Sequence, residues 1–274
     1  SFWNGTTWKV ATTEGLRLSG GVRFVQRVGA GRWILAGDSA QIAIYTTGGA
    51  VELVDGPRGA VRVEAFCGDL DDISVLATQD ASGMIFLNTF SAKRWLRPLP
   101  LEGVASVSTL VRFDDTRYLV AGRRQAGAFA ALYNALDWDL TPLALSTQAR
   151  AFLCGSSRPR KQLGYLGGTQ GTLFTLDGER ESAESIGEDI AITAMALDPF
   201  GRVWVATQGR SLMKDDLRGW VSVWHDEAVE VPSISLFLDA GLAIAMTADG
   251  AIVEGRGITR AQSEFPRAPN LPKI

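Results

Sequence analysis

Six segments of this chain repeat one pattern, and that repeat restricts the fold more than any other feature. Each is a β-type run closed by a small residue and followed by a polar loop. They are Arg32–Gly37, Ile73–Thr78, Arg117–Gly122, Leu163–Gly168, Arg202–Thr207 and Leu242–Met246. Taking Ala36, Ala77, Ala121, Gly167, Ala206 and Ala245 as equivalent gives steps of 41, 44, 46, 39 and 39 residues. An apolar run and a turn rich in Gly, Asp or Pro precede each segment. A third run follows, as in Ile42–Tyr45 or Thr172–Leu176, and most copies add a more polar fourth. Short apolar runs broken by turn residues are strand signals, and the period of an amphipathic helix is poorly represented.

Four short strands recurring every ~42 residues are the signature of a β-propeller. The expectation is an all-β chain: a six-bladed β-propeller of four-stranded antiparallel blades. It fills residues 1–265 as a single domain, with an extended, proline-containing tail over 266–274. The last repeat shows three clear strands, so Trp3–Ala11 is expected to supply the fourth and close the ring. Ile258–Phe265 is the competing strand for that place. The small residue has a physical reason, because neighbouring blades crowd each other at their inner strands and a bulky side chain there would overpack.

Composition narrows the chemistry. With 2 Cys and one His, the chain lacks the soft and imidazole ligands of a zinc site and cannot build a disulfide framework. Cys67 and Cys154 lie two repeats apart and are expected to be reduced thiols. A net charge of −3 gives no general attraction to nucleic acid or anionic lipid. No apolar stretch approaches the ~20 residues that span a bilayer, so no membrane insertion is expected of this segment. Ser1–Val10 carries Trp3, Asn4, Trp8 and Lys9 where a signal peptide is apolar. The chain starts without Met and reads as a processed protein or an excised fragment. Its compartment is left open, an extracytoplasmic sensor region being one option.

One segment is more specific. Leu197-Asp198-Pro199-Phe200-Gly201-Arg202-Val203-Trp204-Val205-Ala206-Thr207-Gln208-Gly209 resembles the D-x-x-G-x-[hydrophobic]-W-[hydrophobic]-[small]-T-x-x-G unit of bacterial sensor propellers attached to signalling kinases. It is also similar to a unit of the six-bladed lactonase family. The first resemblance implies a non-catalytic module that binds a ligand or a protein within a larger signalling or surface protein. The second implies a metal-dependent hydrolase with Glu, Asn and Asp around a divalent cation. A WD40-like repeat fits less well, since Trp138-Asp139 is the one Trp-Asp pair and no Gly-His precedes it.

No catalytic residue, metal ligand or cofactor follows from the residues themselves. His225 lies just after an outer strand, away from the channel where propeller sites converge. Asp69, Asp71 and Asp72 read as a solvated turn. The four asparagines, Asn4, Asn88, Asn134 and Asn270, avoid the positions that rim a channel. One polar feature does repeat. The loops after the second strands read Thr78-Gln79, Thr169-Gln170 and Thr207-Gln208, with Arg123-Arg124 at the matching place elsewhere. Arg23 and Arg62 stand at matching starts of first strands. Arg23, Arg62, Gln79, Arg123, Gln170 and Gln208 are therefore the candidate binding residues. Their ligand would be small and acidic or carbohydrate-like, or a peptide of a protein partner. The alternative is that Gln and Thr satisfy loop backbone groups while Arg forms ion pairs. A pure protein-interaction scaffold is the third reading. Trp33 and Trp204 are expected between blades, and the remaining tryptophans near outer strands.

Overall fold

Turn residues cut the chain into short strands, and each strand pairs with the one that follows it. The computed structural model describes residues 2–3, 8–9, 22–29, 31–37, 40–46, 50–145, 147–187, 190–198, 200–208, 211–215, 219–225, 233–239, 242–247 and 252–256. The chain forms two compact units, Ser1–Leu110 and Val111–Ile274.

In the first unit, β1 (Phe2–Trp3) pairs with β2 (Trp8–Lys9). The first repeat is an antiparallel sheet of β3 (Val22–Gly29), β4 (Arg32–Gly37), β5 (Ile42–Thr46) and β6 (Ala50–Val54) in that order. The second has β7 (Ala60–Cys67), β8 (Ser74–Asp80) and β9 (Ile85–Ser91) in order. Its outer strand comes in two pieces, β10 (Arg94–Trp95) and β11 (Leu99–Pro100), and both pair with β9. Pro98 lies in the gap, where its missing N–H cannot join the ladder.

The third sheet opens with β12 (Val104–Arg112), within which the division between the units falls along the chain, and continues through β13 (Arg117–Arg124), β14 (Gly127–Asn134) and β15 (Asp139–Pro142). The fourth holds β16 (Phe152–Arg158), β17 (Leu163–Gly168), β18 (Thr172–Asp177) and β19 (Arg180–Ser185). The fifth holds β20 (Ile192–Leu197), β21 (Val203–Thr207), β22 (Ser211–Asp215) and β23 (Trp220–His225). The sixth has three strands among the described residues, β24 (Ser233–Asp239), β25 (Leu242–Thr247) and β26 (Ile252–Arg256). One 3-10 turn, Pro159–Lys161, is the single helical element among the described residues, so no helix there is long and apolar enough to cross a membrane.

The fold is therefore all-β, a series of mostly four-stranded antiparallel sheets. The expected tail, residues 266–274, lies outside the described residues, as does the competing strand 258–265.

Within each unit, consecutive sheets bury their apolar faces against each other. Ile34, Ile42 and Ile44 of the first sheet meet Val63, Phe66 and Leu76 of the second. The rings of Phe24 and Phe66 meet edge-on at 5.9 Å. In the second unit, Phe113, Leu119 and Ala130 pack on Phe152, Leu166 and Phe174. Leu173 and Ile186 pack in turn on Ile192, Met195 and Val205.

This stacking explains the small residues of the repeat. Ala36, Ala77, Ala121 and Ala206 are all fully buried. At Gly167 a Cβ would stand 2.6 Å from Cγ2 of Ile192 in the next sheet and 2.8 Å from Sγ of Cys154.

The ladders share a second device that counting along the sequence does not reveal. The first strand of the first, second, fourth, fifth and sixth sheets carries an extra residue at the same place. The pairs Phe24↔Ala36, Ala65↔Ala77, Cys154↔Gly167, Ala194↔Ala206 and Ser235↔Met246 are each preceded, along the first strand, by such a bulge. The inserted residues are Arg23, Glu64, Leu153, Thr193 and Ile234. A bulge bends its strand and raises the local twist. The register corrects two equivalences. Met246, not Ala245, occupies the small-residue place of the sixth sheet. Arg23 corresponds to Glu64, while Arg62 stands two residues earlier.

Candidate functional site

In an up-and-down sheet, the turns joining first to second and third to fourth strands share one end. The hairpin joining second to third strands lies at the other. The hairpin end carries most of the candidate polar residues. Arg62 and Gln79 face each other directly across β7 and β8. Arg62 forms an ion pair with the buried Glu64 carboxylate, and its Nε has no hydrogen-bond partner among the described residues. The Gln79 amide donates to Gly83 O at 3.2 Å, closing its own hairpin. That loop is also organised by Asp80, which accepts from the Ser82 hydroxyl and from the N–H groups of Ser82 and Met84. The Ser82 hydroxyl above all holds the Asp80 carboxyl below its ordinary range.

In the second unit, Arg123, Gln170 and Gln208 are all exposed. They stand at the hairpin ends of the third, fourth and fifth sheets. The match between Gln170 and Gln208 is displaced by one residue. Thr169 N–H donates to Ala151 O at 3.0 Å, as Gln208 N–H does to Ala191 O at 2.8 Å, so Thr169 takes the Gln208 place. Gln170 then adopts φ +60° at the tip of its hairpin. Thr169 also accepts Arg150 N–H at 2.8 Å, which is the loop-satisfying role. Beside Arg123, the Arg124 guanidinium lies 5.7 Å over the Phe129 ring. The side chain of Arg23 is outside the described residues.

The opposite end is built on aspartates whose role the residue pattern did not disclose. Asp198 is buried, and its carboxylate accepts the N–H groups of Phe200 and Arg202, both at 2.9 Å. It also accepts Arg202 Nε at 2.6 Å and the Trp204 indole N–H at 3.2 Å. Burial pushes this carboxyl up, but the Arg202 N–H, the Arg202 guanidinium and the Trp204 indole together hold it below its ordinary value. Asp114 repeats the arrangement in the third sheet. It accepts Thr116 N–H, Arg117 N–H and Arg117 Nε, and it too is held low despite burial. An Asp followed three or four residues later by Arg was the available sequence signal.

Asp69 caps its own turn through Asp71 and Asp72 N–H, and Asp71 ion-pairs with Arg32 of the first sheet. Among the described residues no group of three or more His, Cys, Asp or Glu side chains could hold a metal ion. His225 ends β23 opposite Ser211, and its side chain is outside the described residues.

Neither cysteine is in a disulfide. Their registers differ. Cys154 adjoins the bulge of its strand, whereas Cys67 ends its strand opposite Val75. Burial pushes the Cys154 thiol up to about 12, with Ile192 O 3.7 Å and Gly167 O 3.9 Å from its sulfur. A thiol so rarely ionised is a packing group, not a nucleophile.

No protein-family model and no curated protein matches this chain. Solved structures do, 1018 chains of them. The structure of U3-55K superposes with a TM-score of 0.65 at 11% identity, covering 86% of this chain and 77% of that one. The crystal structure of the computationally designed Ika8 protein gives 0.62 at 14% identity, covering 89% and 74%. The shared property is the all-β fold. At such identities a fold carries no function with it.

Proposed function

We propose that the chain is a non-catalytic binding module built as one six-bladed β-propeller over residues 1–265. In this reading a strand within Trp3–Ala11, β2 of the N-terminal hairpin, pairs with β26 and closes the ring. The six sheet-forming repeats support it, as does the bulge that recurs at one register in five first strands. A rigid ring presents its hairpin ends as one surface. The module would serve as a sensing or docking part of a larger signalling or surface protein, in line with the resemblance of the Leu197–Gly209 unit to sensor propellers.

The observation that carries the binding reading is the exposure of Arg123, Gln170 and Gln208 at the hairpin ends of three consecutive sheets. Side chains there are held by short hairpins, and their polar groups point to a small acidic or carbohydrate-like ligand, or to a peptide. Arg62 is less available, because it is the ion-pair partner of the buried Glu64 carboxylate.

A thermal-shift screen of organic acids and oligosaccharides against the chain and its Arg123→Ala/Gln208→Ala variant tests this. A ligand at 100 times its Kd stabilises by about 2.7 kcal/mol, a shift of several degrees for a domain of this size. The expected result is a ligand whose shift is lost in the variant while the unliganded melting temperature is unchanged. Ligands that shift both proteins equally would overturn the assignment.

A further inference from the structure

The second unit has another surface, at the end of its sheets away from those hairpins. An open recess of about 420 Å³ lies there between the turns of the third and fourth sheets. Asp114 and Asp115 form one wall, and Pro159, Arg160, Lys161 and Gln162 form the other. That volume falls within the range of ligand clefts.

The walls are fixed by the backbone. Pro159 opens the 3-10 turn, and Gln162 ends it in the left-handed region at φ +49°, its N–H donating to Pro159 O. Gly178 N–H donates to Gln162 O at 2.8 Å, bracing the turn from the neighbouring loop. On the other side, Arg112 donates to Asp114 O and Asp115 O. The Ser157 hydroxyl donates to Arg112 O at 2.6 Å and links the third and fourth sheets.

The charge here runs against the rest of the chain. Residues 112–117 and 158–162 hold five cations, Arg112, Arg117, Arg158, Arg160 and Lys161, against two carboxylates, in a chain of net charge −3. The Asp114 carboxylate is already satisfied by Arg117 and two N–H groups. Arg160 and Lys161 are exposed, and neither has a carboxylate within ion-pair reach among the described residues. The recess therefore presents Arg160 and Lys161, outside any ion pair among the described residues, on the wall opposite the exposed Asp115.

Large apolar side chains are exposed on the neighbouring turns. Leu136 and Trp138 are 58% and 45% exposed on the turn after β14. That turn adjoins the Asp114–Thr116 turn, because Ala135 N–H donates to Thr116 O at 2.9 Å. Trp138 is held at φ +54°, an uncommon conformation for a bulky residue. Its neighbours Asp137 and Asp139 are engaged by Asn134 and Thr141. On the far side, Phe200 is 52% exposed and precedes Gly201, against which the Arg158 guanidinium lies. Exposed Trp and Phe beside Arg is the composition of protein-interaction hot spots.

We propose that this turn end binds an acidic, partly apolar polypeptide segment of a partner protein. Its Asp or Glu side chains would meet Arg160 and Lys161, and its aromatic or aliphatic side chains would pack on Trp138 and Phe200. Nucleic acid fits less well. These two cations belong to one recess, not a stripe that follows a phosphate backbone, and apolar side chains are exposed on the turns beside it.

Panning a phage-displayed random dodecapeptide library on the intact chain tests the proposal. The expected selection is for sequences with several Asp or Glu next to Phe, Trp or Leu. Synthetic copies should bind an Arg160→Glu/Lys161→Glu variant at least about ten-fold more weakly, and more so at low salt. Trp138→Gly, which relaxes the backbone at that φ, should weaken binding without lowering the melting temperature. Selection of non-acidic sequences, no selection at all, or unchanged affinity of acidic peptides for the charge-reversed variant would overturn it. Displacement of the peptides by a single-stranded oligonucleotide at equal charge concentration would also count against it.

Discussion

Replacing Asp198 by Ala is expected to destabilise the chain by about 3–5 kcal/mol, the usual consequence of removing one partner of a buried ion pair. The loss strands a set of groups. Phe200 N–H, Arg202 N–H, Arg202 Nε and the Trp204 indole all donate to this one carboxylate. A second guanidinium nitrogen of Arg202 already lacks a hydrogen-bond partner among the described residues, so the cation has no substitute acceptor there. In a chain of this size the effect should be a fall of roughly 6–20 °C in melting temperature. Asp198→Asn keeps an oxygen acceptor and loses the charge, so about 1–3 kcal/mol is expected.

The same residue sets an acid limb. Its carboxyl is held below its ordinary value of 3.8 in the folded chain, so its contribution is complete above that value. The contribution fades as pH falls through the lowered folded value. Asp114 adds a limb of the same sign. Urea unfolding between pH 2 and pH 6 should therefore show stability falling on the acid side. The fall should be shallower in Asp198→Asn. An equal slope in both proteins would contradict the assignment.

Trp204→Ala is the second large effect. The side chain is fully buried in β21, opposite Ala196 on one side and Lys214 on the other. Truncating a buried tryptophan commonly destabilises by about 3–5 kcal/mol through lost burial and the cavity left behind. The indole also donates to Asp198, so the variant loses a fixing contact of the turn. Trp204→Phe separates the two parts. It retains most of the packing and drops the N–H, and should destabilise by about 1–2 kcal/mol. Urea titrations of the three proteins check this. A loss below about 1 kcal/mol in Trp204→Ala would mean that the ring is not a packing element of the fifth sheet.

The repeat was legible because strand-forming residues and small residues obey a local rule. Ala36, Ala77, Ala121, Gly167 and Ala206 could be aligned by counting, and each is buried in a second strand. Counting failed where a backbone irregularity adds or moves one residue. The bulge before Phe24 sets Arg23 against Glu64, and the fourth hairpin puts Thr169 where Gln208 stands in the fifth. Nothing in the residue types announces a bulge, since Arg, Glu, Leu, Thr and Ile all occupy it. The Asp198 motif was visible as a string of letters, but its four donors converge only once the turn is closed. The recess beside Arg160 was harder still, because it needs two sheets in contact.

The arrangement of the repeats as one closed ring is the central claim, and hydrogen–deuterium exchange tests it most directly. The comparison is between the 274-residue chain and the same chain lacking residues 1–11. If a strand within Trp3–Ala11 closes the ring, its removal exposes the edge of β26. Amides of Ile252–Arg256 should then exchange faster, with those of Tyr118–Tyr133 unchanged. Unaltered protection of Ile252–Arg256 would contradict closure by the N-terminal strand.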